Sequence, residues 1–205
     1  MKLLILGCGN AGLAVATRAK ALGWQVVATT TRESRIAEIE QVADRGLVVR
    51  GADLEAVKAA AADCDAILVS VSPPIMQSRT IEEREQSYRD VLVESCKSSV
   101  QACPRVVFMS SISVYADGLQ GDGDLIDETT PRSTSDEPST VYYSLADDAE
   151  RRQYSSRRLA GCEPIGSAAS SSFVRLGLNT RRRSCPKVEL GGDALERKAV
   201  VNNGL

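Results

Sequence analysis

Short apolar runs alternate with amphipathic stretches along the first half of the chain. The apolar runs are rich in Val, Ile and Leu and predict β-strands over residues 1–6, 24–30, 46–50, 65–71 and 104–110. Between them, apolar residues at helical spacing predict helices over about 13–22, 32–44, 53–62 and 80–102. This alternation predicts the α/β class with a doubly wound parallel sheet. Ligands of such sheets bind beyond the carboxyl ends of the strands.

The pattern changes after residue 110. Residues 112–138 are rich in Gly, Asp, Thr and Pro and predict a long loop, which leads into a predicted helix over about 142–160. A sixth strand is predicted over 172–176, and the periodicity is lost beyond residue 177. We therefore expect one domain over 1–176 and a divergent, poorly ordered tail over 177–205. No metal site is predicted, because the acidic loop residues do not have the spacing of a calcium loop; they are Asp122, Asp124, Asp127 and Glu128.

The first strand leads through a glycine-rich turn into a helix. The turn has the pattern G-x-G-x-x-G and consists of Gly7, Cys8, Gly9, Asn10, Ala11 and Gly12. In such a unit the first glycine permits a tight turn, the second lets the backbone approach a pyrophosphate, and the third allows close helix–strand packing. The free N–H groups and the dipole at the helix start favour phosphate. The turn therefore predicts a dinucleotide site; the alternative is a turn that merely closes an ordinary βα unit.

Composition narrows the classes of partner. The net charge of −2 at pH 7 gives no electrostatic case for nucleic acid or an anionic membrane. No apolar run reaches the roughly 20 residues of a membrane span, and no signal peptide is expected. The six cysteines have no C-x-x-C spacing and suit a reduced, cytoplasmic compartment. Because the chain has no histidine, Ser-His-Asp and Cys-His catalysis are excluded.

The end of the second strand bears on the choice of cofactor. An acidic residue there binds the ribose 2′-hydroxyl in NAD-preferring folds, whereas this sequence reads Thr29-Thr30-Thr31-Arg32. Arg32 is placed to meet a 2′-phosphate, and Arg35 could assist it. NADP is therefore predicted over NAD. The alternative is that Arg32 is a solvated residue at a helix start.

Three more candidate cofactor-binding residues follow other strands. Asp53 precedes Leu54 at a predicted helix start, where its carboxylate either caps the helix or bonds an adenine amino group. Ser70 follows the fourth strand, where small residues permit close approach to the middle of a dinucleotide. All three positions are predicted to lie along the carboxyl edge of the sheet.

Several motifs together resemble a known family. The glycine turn, Asp53-Leu54, Ser110-Ser111-Ile112-Ser113-Val114-Tyr115 and Asp127-Glu128-Thr129-Thr130-Pro131 resemble, in this order, the extended short-chain dehydrogenase/reductases of the epimerase/dehydratase branch. The resemblance covers roughly residues 1–176 and is closest to atypical members. It implies an NAD(P)-binding Rossmann fold and a small-molecule substrate such as a nucleotide sugar. Family members carry a further substrate subdomain, so it also implies a chain truncated at its carboxyl terminus.

The resemblance also assigns catalytic candidates. In the family, the serine at the position of Ser111 binds the reacting oxygen, and a Tyr-x-x-x-Lys motif supplies an acid/base and the cation that lowers its pKa. Tyr142 or Tyr143 matches that tyrosine, but the lysine position then falls on Ala146 or Asp147. The alternatives are aromatic packing for both tyrosines and a loop hydrogen bond for Ser111.

Three interpretations of the function follow. The first is an NADP-dependent oxidoreductase or epimerase, the second a non-catalytic NADP-binding sensor or regulatory module, and the third an inactive truncated product. Relatives often form homodimers through the helix predicted over 80–102; alternatively, its apolar positions face the sheet.

Overall fold

The computed structural model describes residues 1–115 and 130–159. The five strands found there form one parallel sheet in the order β3-β2-β1-β4-β5. They are β1 Lys2–Leu6, β2 Gln25–Thr30, β3 Arg45–Val48, β4 Ala66–Val69 and β5 Val106–Phe108. The winding reverses between β1 and β4, so the predicted doubly wound sheet is confirmed. This switch point, where such sheets bind ligands, lies beside the glycine turn.

Six α-helices lie within the described residues. They are α1 Asn10–Ala21, α2 Ile36–Ile39, α3 Leu54–Ala61, α4 Ile81–Tyr88, α5 Glu94–Ala102 and α6 Pro138–Leu159. A π-helical turn, Arg89–Val93, joins α4 to α5, so the helix predicted over 80–102 is confirmed with one local change of winding. Its first turn is capped by Thr80, whose Oγ1 accepts a hydrogen bond from the Glu83 N–H at 3.1 Å.

Two predicted helices differ from the observed ones. The helix predicted over 32–44 is reduced to a 3₁₀ turn, Glu33–Arg35, and the single turn of α2. The chain turns early because Asp44 is tied to β2, where its Oδ2 accepts from the Val26 N–H at 2.7 Å. Helix α6 begins at Pro138 rather than 142, because the fixed φ of proline suits a first helical turn. The acidic loop residues Asp122–Glu128, the sixth strand and the tail lie outside the described residues.

Both faces of the sheet are buried. Leu4 and Leu6 of β1 pack on one side with α3, α5 and α6, and Leu3 and Ile5 pack on the other with α1 and α2. Burial of each such side chain stabilises the fold by about 1.5–3 kcal/mol. This two-sided burial explains why β1 and β4 are continuous apolar runs rather than alternating ones.

The strand register brings the ends of β1 and β4 to one level. Leu6 pairs with Val69, and the Ser70 N–H donates to the Leu6 carbonyl at 2.8 Å. Gly7 and Ser70 therefore leave the sheet side by side. The helices of residues 1–115 and 130–159 include none that combines the length and the apolar character needed to cross a membrane.

Candidate functional site

Gly7 makes the sharp turn at the end of β1. Its φ is +86°, a left-handed conformation that glycine adopts without steric cost. A Cβ there would lie 2.8 Å from Val71 Cγ1 and 2.9 Å from Val71 Cα. The turn is tied to β2, because the Gly7 N–H donates to Thr29 Oγ1 at 2.9 Å and the Cys8 N–H donates to the Thr29 carbonyl at 2.6 Å. The turn conformation predicted for Gly7 is confirmed.

Gly12 lies where α1 approaches β1 most closely. A Cβ at this position would be 3.1 Å from the Gly7 carbonyl oxygen and 3.2 Å from Ile5 Cγ2. Both contacts are tighter than normal packing, so a larger residue would push the helix away from the strand. The close helix–strand packing predicted for Gly12 is therefore confirmed.

Gly9 differs from the other two glycines. It is the N-cap of α1 with φ −82°, which any residue can adopt, and a Cβ there would have no atom of the described chain within 4 Å. No side chain in the described part of the chain caps this helix, and its first turn, which begins with Asn10 and Ala11, holds no acidic residue. The result is an open backbone surface at a helix N-terminus, which carries partial positive charge.

The two arginines after β2 have different surroundings. Arg32 is exposed, and its N–H donates to Thr30 Oγ1 at 3.2 Å. Arg35 reaches back to the glycine turn, where its guanidinium donates to the Cys8 carbonyl at 2.8 Å and pairs with Glu38 at 2.9 Å. The Arg35 guanidinium lowers the pKa of Glu38 by hydrogen bonding to it. The sequence predicted Arg32 as the main contact of a 2′-phosphate and Arg35 as its helper. In the structure it is Arg35 that lies directly against the glycine turn.

The other predicted cofactor residues follow β3 and β4. Asp53 caps α3, since its Oδ1 accepts from the Ala56 N–H at 3.0 Å. Leu54 is the first residue of that helix, and both residues lie at the carboxyl edge as expected. Ser70 is partly buried against Gly7, with its carbonyl oxygen 3.0 Å from where a Gly7 Cβ would be. The capping role of Asp53 is confirmed; its contact with adenine stays a prediction.

Ser111 is held in a local turn after β5. Its Oγ accepts from the Ser113 N–H at 3.2 Å, and its carbonyl accepts from the Val114 N–H at 3.3 Å. The Thr140 hydroxyl of α6 donates to the Ser113 carbonyl at 2.9 Å, which ties this turn to the helix that carries both candidate tyrosines. The loop hydrogen bond that the sequence left as an alternative for Ser111 is thus present, and its substrate-binding role remains a prediction.

Tyr142 is buried in an aromatic and cationic cluster. Its ring stacks on Tyr88 with centroids 6.1 Å apart, and the Arg89 guanidinium lies 5.4 Å from the ring centroid. One guanidinium nitrogen of Arg89 donates to the Tyr142 hydroxyl at 3.1 Å. Arg89 was not identified from the sequence, because only the packing of the π-helical turn against α6 brings it to this phenol.

Tyr143 points to a neighbouring part of the core. Its ring meets Tyr88 edge-on and lies 6.1 Å from the Phe108 ring of β5. Burial raises the pKa of the Tyr143 phenol, which is the opposite of what an acid/base at neutral pH requires. Both tyrosines therefore show the aromatic packing that the sequence left open, and within residues 1–115 and 130–159 no lysine contacts either hydroxyl.

The two lysine positions hold buried residues instead. Ala146 has no exposed surface, and its carbonyl accepts a weak hydrogen bond from the Cys96 thiol. Asp147 is also fully buried, and its Oδ2 lies 3.4 Å from a guanidinium nitrogen of Arg132. Burial raises the pKa of Asp147, while the Ser110 side chain and Arg132 oppose the rise. The sequence offered one indication of a residue such as Arg132. A carboxylate on the buried face of a helix is stable as a charged group only when a cation lies near it.

Residues 1–115 and 130–159 contain no group of three His, Cys, Asp or Glu side chains able to hold a metal ion. A shallow surface pocket does occur, but it lies at the amino edge of the sheet beside Lys2, Gln25 and Asp44. That edge is opposite the carboxyl ends of the strands, where doubly wound sheets bind ligands. The glycine turn therefore remains the best-formed candidate site of the described chain.

Two comparisons of the amino-acid sequence found similar proteins. Residues 1–85 match the family described as alanine dehydrogenase/PNT, C-terminal domain. Protein YeeZ of Escherichia coli K12 is 31% identical over 154 residues, which cover 71% of this chain and 52% of that protein. The chain thus spans about half the length of the curated relatives it matches.

Solved structures share the fold at low sequence identity. A short-chain dehydrogenase/reductase superfamily protein from Agrobacterium tumefaciens with bound NAD has a TM-score of 0.58 at 22% identity, over 74% of this chain and 44% of that one. UDP-glucose 4-epimerase from Bifidobacterium longum in complex with NAD⁺ and UDP has a TM-score of 0.63 at 14% identity, over 76% and 50%. The described chain therefore has the Rossmann-like α/β fold of these proteins.

Proposed function

We propose that this protein binds NADP at the glycine turn and belongs to the epimerase/dehydratase-like short-chain dehydrogenase/reductases. The observation that carries the proposal is the open backbone at Gly9. Gly7 and Gly12 are required by packing within the fold, whereas nothing in the described fold requires a glycine at Gly9. The approach of a ligand to the backbone supplies the missing reason, and a pyrophosphate at a helix N-terminus is the ligand that this geometry suits.

The preference for NADP rests on charge at the end of β2. No carboxylate follows β2 where NAD-preferring folds place one, and Arg32, two residues after β2, is exposed. Arg35 adds a second guanidinium, fixed between the Cys8 carbonyl and Glu38. The exposed Arg32 guanidinium favours a 2′-phosphate, with which arginine makes bidentate, charge-assisted hydrogen bonds, and Arg35 adds positive charge.

The solved relatives support a nicotinamide dinucleotide in particular. Those from Agrobacterium tumefaciens and Bifidobacterium longum were determined with NAD and NAD⁺, and the latter also holds UDP. A nucleotide sugar or a similar small molecule is accordingly the proposed substrate. When bound, the dinucleotide would accept or supply a hydride at its nicotinamide ring.

Substrate binding and proton transfer would then be carried out by residues of this chain. Ser111 would hold the reacting oxygen of the substrate by a hydrogen bond, once its Oγ turns away from the Ser113 N–H. Tyr142 or Tyr143 would exchange the proton, as in the family that this chain resembles. Tyr142 already has a cation within hydrogen-bond distance, namely Arg89, whereas Tyr143 is followed one turn later by the acidic Asp147.

A second candidate function is a non-catalytic NADP-binding module that senses cofactor or regulates a partner. The observation that favours it is the burial of Ala146 and Asp147 at the two lysine positions. Binding at the glycine turn does not depend on α6, so this module would bind NADPH without turnover.

Two further expectations accompany the proposal. Cys8, Cys64 and Cys96 are free thiols, in keeping with a reduced, cytoplasmic location. The apolar residues Leu92 and Val93 between α4 and α5 are buried in the core, so a homodimer through this helix would have to use its other faces.

The test is a fluorescence titration with NADPH and with NADH, on the wild type and on Arg32→Ala and Arg35→Ala. We expect NADPH to bind more tightly than NADH. Arg32→Ala should weaken NADPH binding about 10- to 100-fold and leave NADH binding nearly unchanged, because only NADPH carries the phosphate. Arg35→Ala should weaken the binding of both cofactors, because Arg35 also holds the Cys8 carbonyl of the glycine turn. Arg45→Ala, at the opposite edge of the sheet, is the control and should change neither affinity. Equal affinities for the two cofactors in the wild type would refute the NADP assignment.

A further inference from the structure

Helix α6 buries two carboxylates on one face. Asp147 has no exposed surface, and Glu150, three residues later, is only 5% exposed. Residues three apart on a helix are neighbours, and this face packs against α5 and β5. Two carboxylates at this depth are costly when both are charged, unless cations or hydrogen-bond donors compensate them.

The compensation is incomplete. Within the described chain, Asp147 Oδ1 and Glu150 Oε2 have no hydrogen-bond partner. The Arg132 guanidinium contacts Asp147 at 3.4 Å but makes its shorter contact, 2.8 Å, with the more exposed Asp148. The Ser110 hydroxyl lies near the Asp147 carboxylate and lowers its pKa, which favours the charged form. The hydroxyl does not form a well-aligned hydrogen bond with that carboxylate, so it compensates the charge only in part.

The groups around the pair come from every element packed on it. Those that act on one of the two carboxylates are Cys96 of α5, the Phe108 backbone of β5, Ser110 after β5, Arg132 before α6, and Asp148 and Arg151 of α6 itself. Tyr88 of α4, Arg89 of the π-helical turn and Ser113 after β5 belong to the other elements packed on α6. Arg89 is engaged by the Tyr142 hydroxyl, and Arg132 is divided between two carboxylates. Burial raises the pKa of the Cys96 thiol to about 12, so this group stays neutral and adds no further negative charge.

From this cluster we infer that Asp147 and Glu150 hold one proton between them in the folded protein, and that loss of the proton as pH rises loosens the packing of α6 against α5 and β5. One proton on the pair halves the buried negative charge of the two carboxylates. The inference does not depend on the proposed cofactor.

The burial of Glu150 also fixes the direction in which its pKa moves. Burial, with the nearby Asp147 charge, raises the pKa of Glu150 from 4.5 to about 7. The folded protein therefore binds this proton more tightly than the unfolded chain does. It follows that the stabilisation is complete below pH 4.5 and is lost as the pH rises from 4.5 through about 7. Carboxylates whose pKa is lowered by a partner, such as Asp44, titrate below this window.

The test is urea unfolding of the full chain at pH 5.5 and pH 8. We expect the unfolding equilibrium constant of the wild type to rise about tenfold or more between these pH values. Glu150→Gln should remove most of that rise, because the amide cannot titrate. Glu94→Gln is the matched control: it changes a partly exposed glutamate of α5, paired with Lys97, and should keep the wild-type pH dependence. A Glu150→Gln protein with the wild-type pH dependence would overturn the inference.

Measurements on the wild type decide the question even if Glu150→Gln fails to fold. Carbon-13 NMR of the side-chain carboxyl groups should show one glutamate that titrates near pH 7. Hydrogen exchange should show that peptides of α6 become less protected between pH 6 and pH 8, after correction for the intrinsic rate, while peptides of α1 do not. The inference fails if every carboxyl group titrates below pH 5.5, or if α6 and α1 lose protection in parallel.

Discussion

The glycine turn lies at the carboxyl edge of the sheet, whereas helix α6 packs on one face of the sheet with α5 and β5, and different physical factors determine the residues of the two regions. At the turn, backbone geometry decides each residue: Gly7 is fixed by its positive φ and by Val71, and Gly9 is left open. On α6, side-chain surroundings decide: Asp147 and Glu150 are buried with unpartnered oxygens. The candidate binding half of the site therefore depends on backbone geometry, whereas the candidate catalytic half depends on charge compensation.

The largest expected effect comes from crowding the turn. Gly7→Ala should destabilise the fold by about 2–4 kcal/mol, because it combines an unfavourable positive φ with contacts under 3 Å to the Val71 backbone and side chain. Urea denaturation measures the change. The control is Gly23→Ala: Gly23 also has a positive φ, +75°, but a Cβ there meets nothing within 4 Å, so only about 1 kcal/mol should be lost. Equal losses in the two variants would show that Val71 does not constrain the turn.

A smaller loss is expected on the α6 side. Arg132→Met should destabilise the protein by about 1–2 kcal/mol at pH 7, since it leaves the buried Asp147 without its cation and the partial exposure of Arg132 limits the effect. Without Arg132 the pKa of Asp147 rises further, so the loss should shrink as the pH falls and Asp147 takes up a proton.

Denaturant melts at pH 5 and pH 7 measure the Arg132 effect. Lys58→Met, which removes the exposed pair with Glu55, is the control and should cost less than about 0.5 kcal/mol at either pH. An Arg132→Met loss that is the same at both pH values would mean that Asp147 is not the group it compensates.

The tyrosines give the next smaller effect. Tyr142→Phe should cost about 1 kcal/mol, because Arg89 loses its hydrogen-bond acceptor while the stacking on Tyr88 is kept. Tyr143→Phe should cost less, since no hydrogen bond joins its hydroxyl to another described residue. Thermal melts measure both changes. If an activity is found, turnover unaffected by either substitution would remove both tyrosines from the acid/base role.

The fold and the glycine turn could be predicted from the sequence because both depend on local rules. Apolar runs at strand length, together with the spacing of Gly7, Gly9 and Gly12, determine the strand–turn–helix unit almost independently of the rest of the chain. Local rules are weaker for α2, where the tie between Asp44 and β2 ends the helix early.

The surroundings of the candidate catalytic residues on α6 could not be predicted in the same way. The Tyr142 phenol meets Arg89 from a π-helical turn 53 residues away, and Asp147 meets Arg132 from the segment before the helix. Such pairs depend on how helices dock, which periodicity does not encode. The sequence shows that the family's lysine is replaced by Ala146 or Asp147. Only the packing of the helices shows which cations lie near Tyr142 and Asp147.

The most direct test of the central claim, that the open backbone at Gly9 receives a dinucleotide, is calorimetric titration of NADPH into the wild type and Gly9→Ala. The φ of −82° and the free space around Gly9 predict a change in stability within about 0.5 kcal/mol for the variant. The account predicts that the wild type binds NADPH and that the added methyl group, which would lie in the path of the pyrophosphate, abolishes binding in an otherwise intact fold. Equal binding by both proteins, or no binding by the wild type, would contradict it.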